Sequence, residues 1–222
     1  AFIWVLGKEL LGINSLFTEI LTMLSFAELG IGNAFVYSLY KPLVERDNVK
    51  LGSLMRLYAK AYKGIGVFIG VLGLCLLPFL KMLVGDVAVD DSLLYTIFLM
   101  YVFNTAVSYF FVYKTSLIVA DQKNYIVLIA QEGFHAVQVA VQVAILLLTG
   151  NYVLFMAITV VCTIGTNAFL AHKADKLYPF LLEKTVKPLS IEERNEIVAN
   201  VKSLVVYKLG STVLGGTDSI FI

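Results

Sequence analysis

Long apolar runs separated by short charged or turn-forming segments make up most of the chain. Five of these runs reach roughly the 20 residues a helix needs to cross a hydrocarbon core of about 30 Å at 1.5 Å per residue. They fall at residues 14–39, 62–84, 92–113, 125–148 and 152–171. A sixth run begins near Ser203 and is still apolar at Ile222, while "AFIWVLG" at the start reads as the tail of an earlier apolar segment. The expected chain is therefore an all-α integral membrane protein. It is a polytopic helix bundle of about five complete spans, with truncated ones at both ends.

Polar residues inside the runs recur at helical spacing. Asn14, Thr18, Thr22, Ser25, Glu28 and Gly32 fall within about 120° of one another on the first span. Gln131, His135, Gln138 and Gln142 cluster within about 60° on the fourth, with Glu132 on the flank. His135 lies ten residues into that span, about 15 Å deep and so near the bilayer middle. Lys208, Ser211, Gly215 and Asp218 repeat the spacing on the last segment. Asn104 with Ser108, and Thr159 with Thr163 and Thr166, are weaker versions. A titratable group at the bilayer centre costs about 2.5–3.5 kcal/mol, so it faces a bundle interior or a wet cavity. Interhelical hydrogen bonds are worth only about 0.6 kcal/mol each on average. Packing is thus the better reading for the Thr, Ser and Asn positions, and function for Glu28, His135 and Asp218. Gly66 and Gly70 form a small-xxx-small pair suited to close helix approach, and Pro78 kinks or ends its span.

Composition agrees with this pattern: of 222 residues, 59% are hydrophobic and 15% charged, and the mean hydropathy is +0.84. The charges alternate between loops. Segment 41–63 carries Lys41, Arg46, Lys50, Arg56, Lys60 and Lys63; Lys114 and Lys123 follow the third span; residues 172–208 carry seven more cations. Segments 85–91 and 149–151 carry none. The positive-inside rule then assigns the basic loops to the cytoplasm. The net charge of +1, spread as membrane flanks without a single basic face, argues against nucleic acid as a partner. Cys75 and Cys162 both lie in spans, where a buried apolar thiol is expected. Ser190-Ile-Glu-Glu193 is a capping-box pattern opening a surface helix in which Ile191, Arg194, Val198, Val201 and Val205 recur at helical spacing. Nucleophile triads, metal-ligand spacings, phosphate loops and paired cysteines are all missing from the sequence, so neither an enzyme nor a metal or other cofactor is expected.

Three stretches carry a resemblance: "LLGINSLFTEILTMLSFAELGIGNAFVYSLYKPL" from Leu10 to Leu43, "YKTSLIVADQKNYI" from Tyr113 to Ile126, and "GGTDSIFI" from Gly215 to Ile222. Together they resemble the bacterial polysaccharide flippases, the O-antigen and capsule repeat-unit exporters of the multidrug, oligosaccharidyl-lipid and polysaccharide transporter superfamily. The resemblance implies two helical lobes around a cavity that opens alternately to each side and moves an undecaprenyl-pyrophosphate-linked oligosaccharide outward. It implies a multi-pass protein of the bacterial cytoplasmic membrane, with residues 1–171 as an N-terminal bundle whose first helix is truncated. Residues 172–202 would be a cytoplasmic inter-lobe linker with a surface helix, and 203–222 the start of the second lobe. Gln131, Gln138 and Gln142 suit sugar hydroxyls, while His135, Lys208 and Lys114 suit phosphate. Glu28, Glu132 and Asp218 are candidates for binding a coupling H+ or Na+, or for fixing one state. Membrane lipids, a polysaccharide polymerase and glycosyltransferases are the implied partners. A drug or cation antiporter of the same superfamily, or a non-transporting scaffold for polysaccharide synthesis enzymes, would account for the same features.

Overall fold

A computed structural model describes residues 2–25, 31–85, 89–182, 190–192, 195, 197–199, 202–203 and 206–207. Glu28, Lys208 and Asp218 lie outside the described residues, as does Glu193 of the capping-box pattern. Among those described there is no strand. The helices are α1 (Phe2–Ser25), α2 (Ile31–Glu45), α3 (Asn48–Leu76), α4 (Leu80–Val84), α5 (Asp91–Ala120), α6 (Asn124–Thr149) and α7 (Tyr152–Leu177). Among the described residues, four helical segments are long and apolar enough to cross a membrane: Asn48–Val84, Asp91–Ala120, Asn124–Thr149 and Tyr152–Leu177.

The sequence reads 14–39 as one span ending at Tyr40-Lys41-Pro42. The described residues there form two helices, and α2 continues through Pro42 to Glu45. Pro42 is the twelfth of 15 residues, so its missing N–H leaves only the Ser38 carbonyl without its usual partner. In α1, Gly7 has φ 85 and ψ 174, a backbone that sets Phe2–Leu6 apart from the rest of the helix.

The basic segment 41–63 is almost entirely helical, because α3 begins at Asn48, well before its apolar run. Asp47 caps it by accepting from the Lys50 amide at 2.9 Å. The turn before it is a Schellman closure: the Asp47 amide reaches the Pro42 carbonyl and the Arg46 amide the Leu43 carbonyl. The α5–α6 turn repeats that pattern, with Lys123 bonded to Ile118 and Gln122 to Val119. Arg46 (φ 54) and Gln122 (φ 57) occupy the left-handed position usually held by glycine. At the opposite end, "TGN" is compact: Gly150 closes α6 with φ 60, and Asn151 caps α7 by accepting from Val153 and Leu154. Pro78 lies in a 3-10 turn, Leu77–Phe79, that separates α3 from α4.

α5 is the central element, with its apolar residues spread around the helix instead of gathered on one face. It packs most extensively on α3 and α7 and also meets α1, α2 and α6. The glycines of α3 make the first of these contacts possible. A Cβ on Gly66 would sit 2.9 Å from the Ala106 carbonyl oxygen, and one on Gly73 would sit 2.6 Å from a Val102 methyl. Two buried layers result. One, at the basic end, joins Leu39, Tyr58, Tyr62, Leu117 and Leu170; the other joins Phe17, Leu80, Ile97, Phe98 and Met156. Outside these layers large apolar side chains face outward, including Val67, Phe68, Val71 and Leu74 along α3. Exposed apolar surface on that scale marks contact with lipid or another protein. Cys75 lies on this surface and is exposed, and Cys162 is half-buried; both are free thiols. The burial expected of them fails because the outer face of such a bundle is itself apolar.

Candidate functional site

The polar positions of α6 divide into two groups. Gln142 is buried and donates through Nε2 to the Thr159 hydroxyl at 2.8 Å and the Phe155 carbonyl at 3.2 Å. Its amide therefore ties α6 to α7. Gln138 is half-buried, whereas Gln131, Glu132 and His135 are exposed. Gln131 and His135 make no hydrogen bond among the described residues. The stripe is thus closed at the end away from the basic residues and open toward them.

The described part of the α1 stripe is satisfied mainly within its own helix. Thr18, Thr22 and Ser25 donate to carbonyls one turn back at 2.7–2.8 Å. Back-bonding of this kind uses the hydroxyl proton and leaves only the oxygen lone pairs for other partners. Asn14 accepts from the Tyr152 hydroxyl at 3.2 Å, joining α1 to the start of α7. Thr18 and Thr22 remain exposed.

Lys114 lies at the basic end of α5 and pairs with α7, not with the α6 stripe. Its Nζ meets both carboxylate oxygens of Asp175 on α7, at 2.6 and 2.7 Å, with the two side chains 19% and 23% exposed. A charge so closely matched is not available to a phosphate without breaking that pair. Nearby, Asp121 accepts from the Tyr178 hydroxyl at 2.7 Å and pairs with Lys123 at 2.6 Å. Burial works to raise the Asp121 carboxyl, but hydrogen bonds from Lys123 and Tyr178, together with the Lys123 charge, hold it below its usual range. The Tyr178 hydroxyl is pushed up, first by burial and then by Asp121. Lys123 also lies over the Tyr178 ring at 5.6 Å.

Sequence reading finds the stripe and misses both acidic partners. Asp175 is the single acid in "HKADKLY", and Asp121 lies in the turn "ADQKN"; an acid isolated among cations was the available signal. At the other end Lys81 pairs with Asp91 across the α4–α5 connection. No cluster of three metal-ligating side chains occurs among the described residues.

The described residues form an all-α bundle in which four helical segments are long and apolar enough to span a membrane, and the polar face of α6 is only partly covered. No family model, curated protein or solved structure matches the chain.

Proposed function

We propose that the chain is the N-terminal lobe of a two-lobe transporter in the bacterial cytoplasmic membrane. Its task would be to flip undecaprenyl-pyrophosphate-linked oligosaccharide repeat units outward, by alternating access, for surface polysaccharide assembly. The observation that carries this reading is the open half of the α6 stripe. Gln131, Glu132 and His135 are exposed on an apolar helix long enough to span a bilayer. Lipid is a poor solvent for them, so water or a second lobe must face them. The motif resemblance supplies the substrate class. In this reading the exposed amide and imidazole groups meet sugar hydroxyls and phosphate. Glu28, Glu132 and Asp218 bind a coupling H+ or Na+ or lock one state, and Lys208 adds charge to the cavity. Lys114 instead braces the basic end through Asp175.

The scaffold alternative has one observation in its favour, the Gln142–Thr159 tie, which shows a stripe residue serving helix packing. Cysteine accessibility separates the two. With Cys75 and Cys162 replaced by serine, Q131C and H135C are expected to react with a membrane-impermeant thiol reagent in intact bilayers. I129C, apolar and 70% exposed, is expected to stay unreactive. Unreactive 131 and 135 would remove the cavity. In the full-length protein, H135A or E28A should lower surface polysaccharide with insertion intact, and unchanged export in both would remove the assignment.

A further inference from the structure

A second feature of α6 lies on the side away from the polar stripe. Between α6 and α7 runs an apolar groove of about 510 Å³, walled on α6 by Tyr125, Ile129, Gly133 and Val137 and on α7 by Phe169 and Lys173. It exists because of a glycine and two rings. Gly133 has nothing within 4 Å of where a Cβ would stand, so the wall is missing there. Phe134 forms the floor, with its ring edge resting over Gly165 and its ring centroid 5.9 Å from that of Phe169.

The distribution of polarity along the groove is one-sided. Its polar groups, the Tyr125 hydroxyl and the Lys173 ammonium, stand at the basic end, where Lys173 lies over the Phe169 ring at 5.9 Å. The rest of the lining is hydrocarbon. Tyr125 and Val137 are twelve helical steps apart, so the groove runs about 18 Å along the helix. One leaflet of a hydrocarbon core about 30 Å thick is half that thickness, close to the groove's length. A tyrosine and a lysine at the mouth of a leaflet-deep apolar slot match the usual interfacial anchors of membrane proteins.

We propose that this groove is a binding site for one acyl chain of an anionic glycerophospholipid of the cytoplasmic leaflet, its headgroup phosphate held by Lys173. Charge complementarity selects the occupant: the slot has a cation at its mouth and no acid in its lining. Its depth favours a one-leaflet chain, because a polyprenyl tail would overrun it. The site needs only membrane insertion with the basic end inward, and it stands or falls separately from the transport reading.

The test uses the full-length protein in vesicles containing phosphatidylglycerol or phosphatidylcholine with a photoreactive group midway along one chain, followed by mapping of labelled peptides. Phosphatidylglycerol is expected to label the peptides around 125–137 and 169–173 about fivefold more than phosphatidylcholine does. Lys173→Gln should abolish that preference. Gly133→Leu should lower labelling of the groove by either lipid, while Gly133→Ala leaves it unchanged. Labelling of the exposed α3 face around Phe68 serves as the reference within the same molecule, and its retention shows that a variant is inserted and folded. Should Gly133→Leu fail that check, Lys173→Gln still decides. Equal labelling by both lipids, groove labelling no stronger than at Phe68, or crosslinks from the groove only to another part of the protein would overturn the proposal.

Discussion

Gly66, Gly70 and Gly73 lie on one side of α3, yet alanine at each has a different predicted effect. At Gly66 the new methyl would stand 2.9 Å from the Ala106 carbonyl oxygen, 3.1 Å from the Phe110 ring and 3.2 Å from the Tyr109 Cβ. A main-chain oxygen cannot rotate away, so α3 and α5 must separate. Overpacking of this kind costs about 1–3 kcal/mol, against which alanine gains roughly 0.8–1 kcal/mol of helix propensity. The expected net loss is about 1–2 kcal/mol at the tight end of that range. At Gly70 the nearest atom is the Ala106 Cβ at 3.8 Å, an ordinary contact, so G70A keeps the gain of up to about 1 kcal/mol. With about 2–4 °C per kcal/mol for a chain of this size, the difference of about 2–3 kcal/mol should make G66A melt about 4–12 °C below G70A. Gly73 is blocked by a side chain: both Val102 methyls would lie 2.6–2.7 Å from the new carbon. Val102 is buried, and its branched side chain is stiff. V102A should therefore rescue G73A and fail to rescue G66A. Thermal unfolding followed by circular dichroism in a single detergent reads all five variants. G66A as stable as G70A, or equal rescue of G66A and G73A by V102A, would refute the packing argument.

Three further outcomes are expected. Breaking the Lys114–Asp175 pair from either side, by K114A or D175N, should destabilise by about 1.5–3 kcal/mol because a charged group loses its partner. The double variant should lose less than the sum, and strict additivity in the same melts would count against the pair. Glycine at Arg46 or Gln122 removes the left-handed penalty of roughly 1–2 kcal/mol but adds unfolded-chain entropy, leaving a gain of about 0.5–1 kcal/mol each; lowered melting temperatures would contradict the Schellman geometry. The Asp121 carboxyl lies below its ordinary 3.8 in the folded chain. Its stabilisation is therefore whole above that value and lost as pH falls through the lowered one. D121N should flatten the acid limb of a melting-temperature profile, and an unchanged limb would mean that another carboxyl governs it.

The long apolar runs 62–84, 92–113, 125–148 and 152–171 locate the four long helical segments, because a stretch of hydrocarbon side chains that long has few other ways to bury its backbone polar groups. The helix ends are less legible. Lys60 and Lys63 extend α3, Lys114 extends α5, and Lys173 and Lys176 extend α7. Long aliphatic stems let charged heads reach water while the helix continues, so hydropathy falls before the hydrogen-bond ladder stops. Pro42 marks an exit in the sequence and is merely tolerated in the structure, near the end of α2. The position of "TGN" between two apolar runs is legible, whereas the closing role of Gly150 and the cap by Asn151 come from the structure. Lys114 and Asp175 are 61 residues apart, and Gln142 and Thr159 lie on different helices. Periodicity reports which face of a helix is polar and nothing about what covers it.

That distinction changes how the α6 stripe is weighed. Four residues at the same spacing look equivalent in the sequence, yet their environments differ. At Gln142 the burial of an amide is offset by a hydroxyl and a carbonyl on α7, so its contribution is of the order of the 0.6 kcal/mol typical of interhelical bonds. Gln131, Glu132 and His135 have no such cover among the described residues. For a charged group near the bilayer centre the unmet cost is about 2.5–3.5 kcal/mol, several times what one helix tie returns. Helix packing alone therefore accounts for the closed end of the stripe and leaves the open end unexplained. Whatever faces the open end must supply hydrogen bonds, and it must do so on the side of α6 turned away from the apolar groove that borders α7.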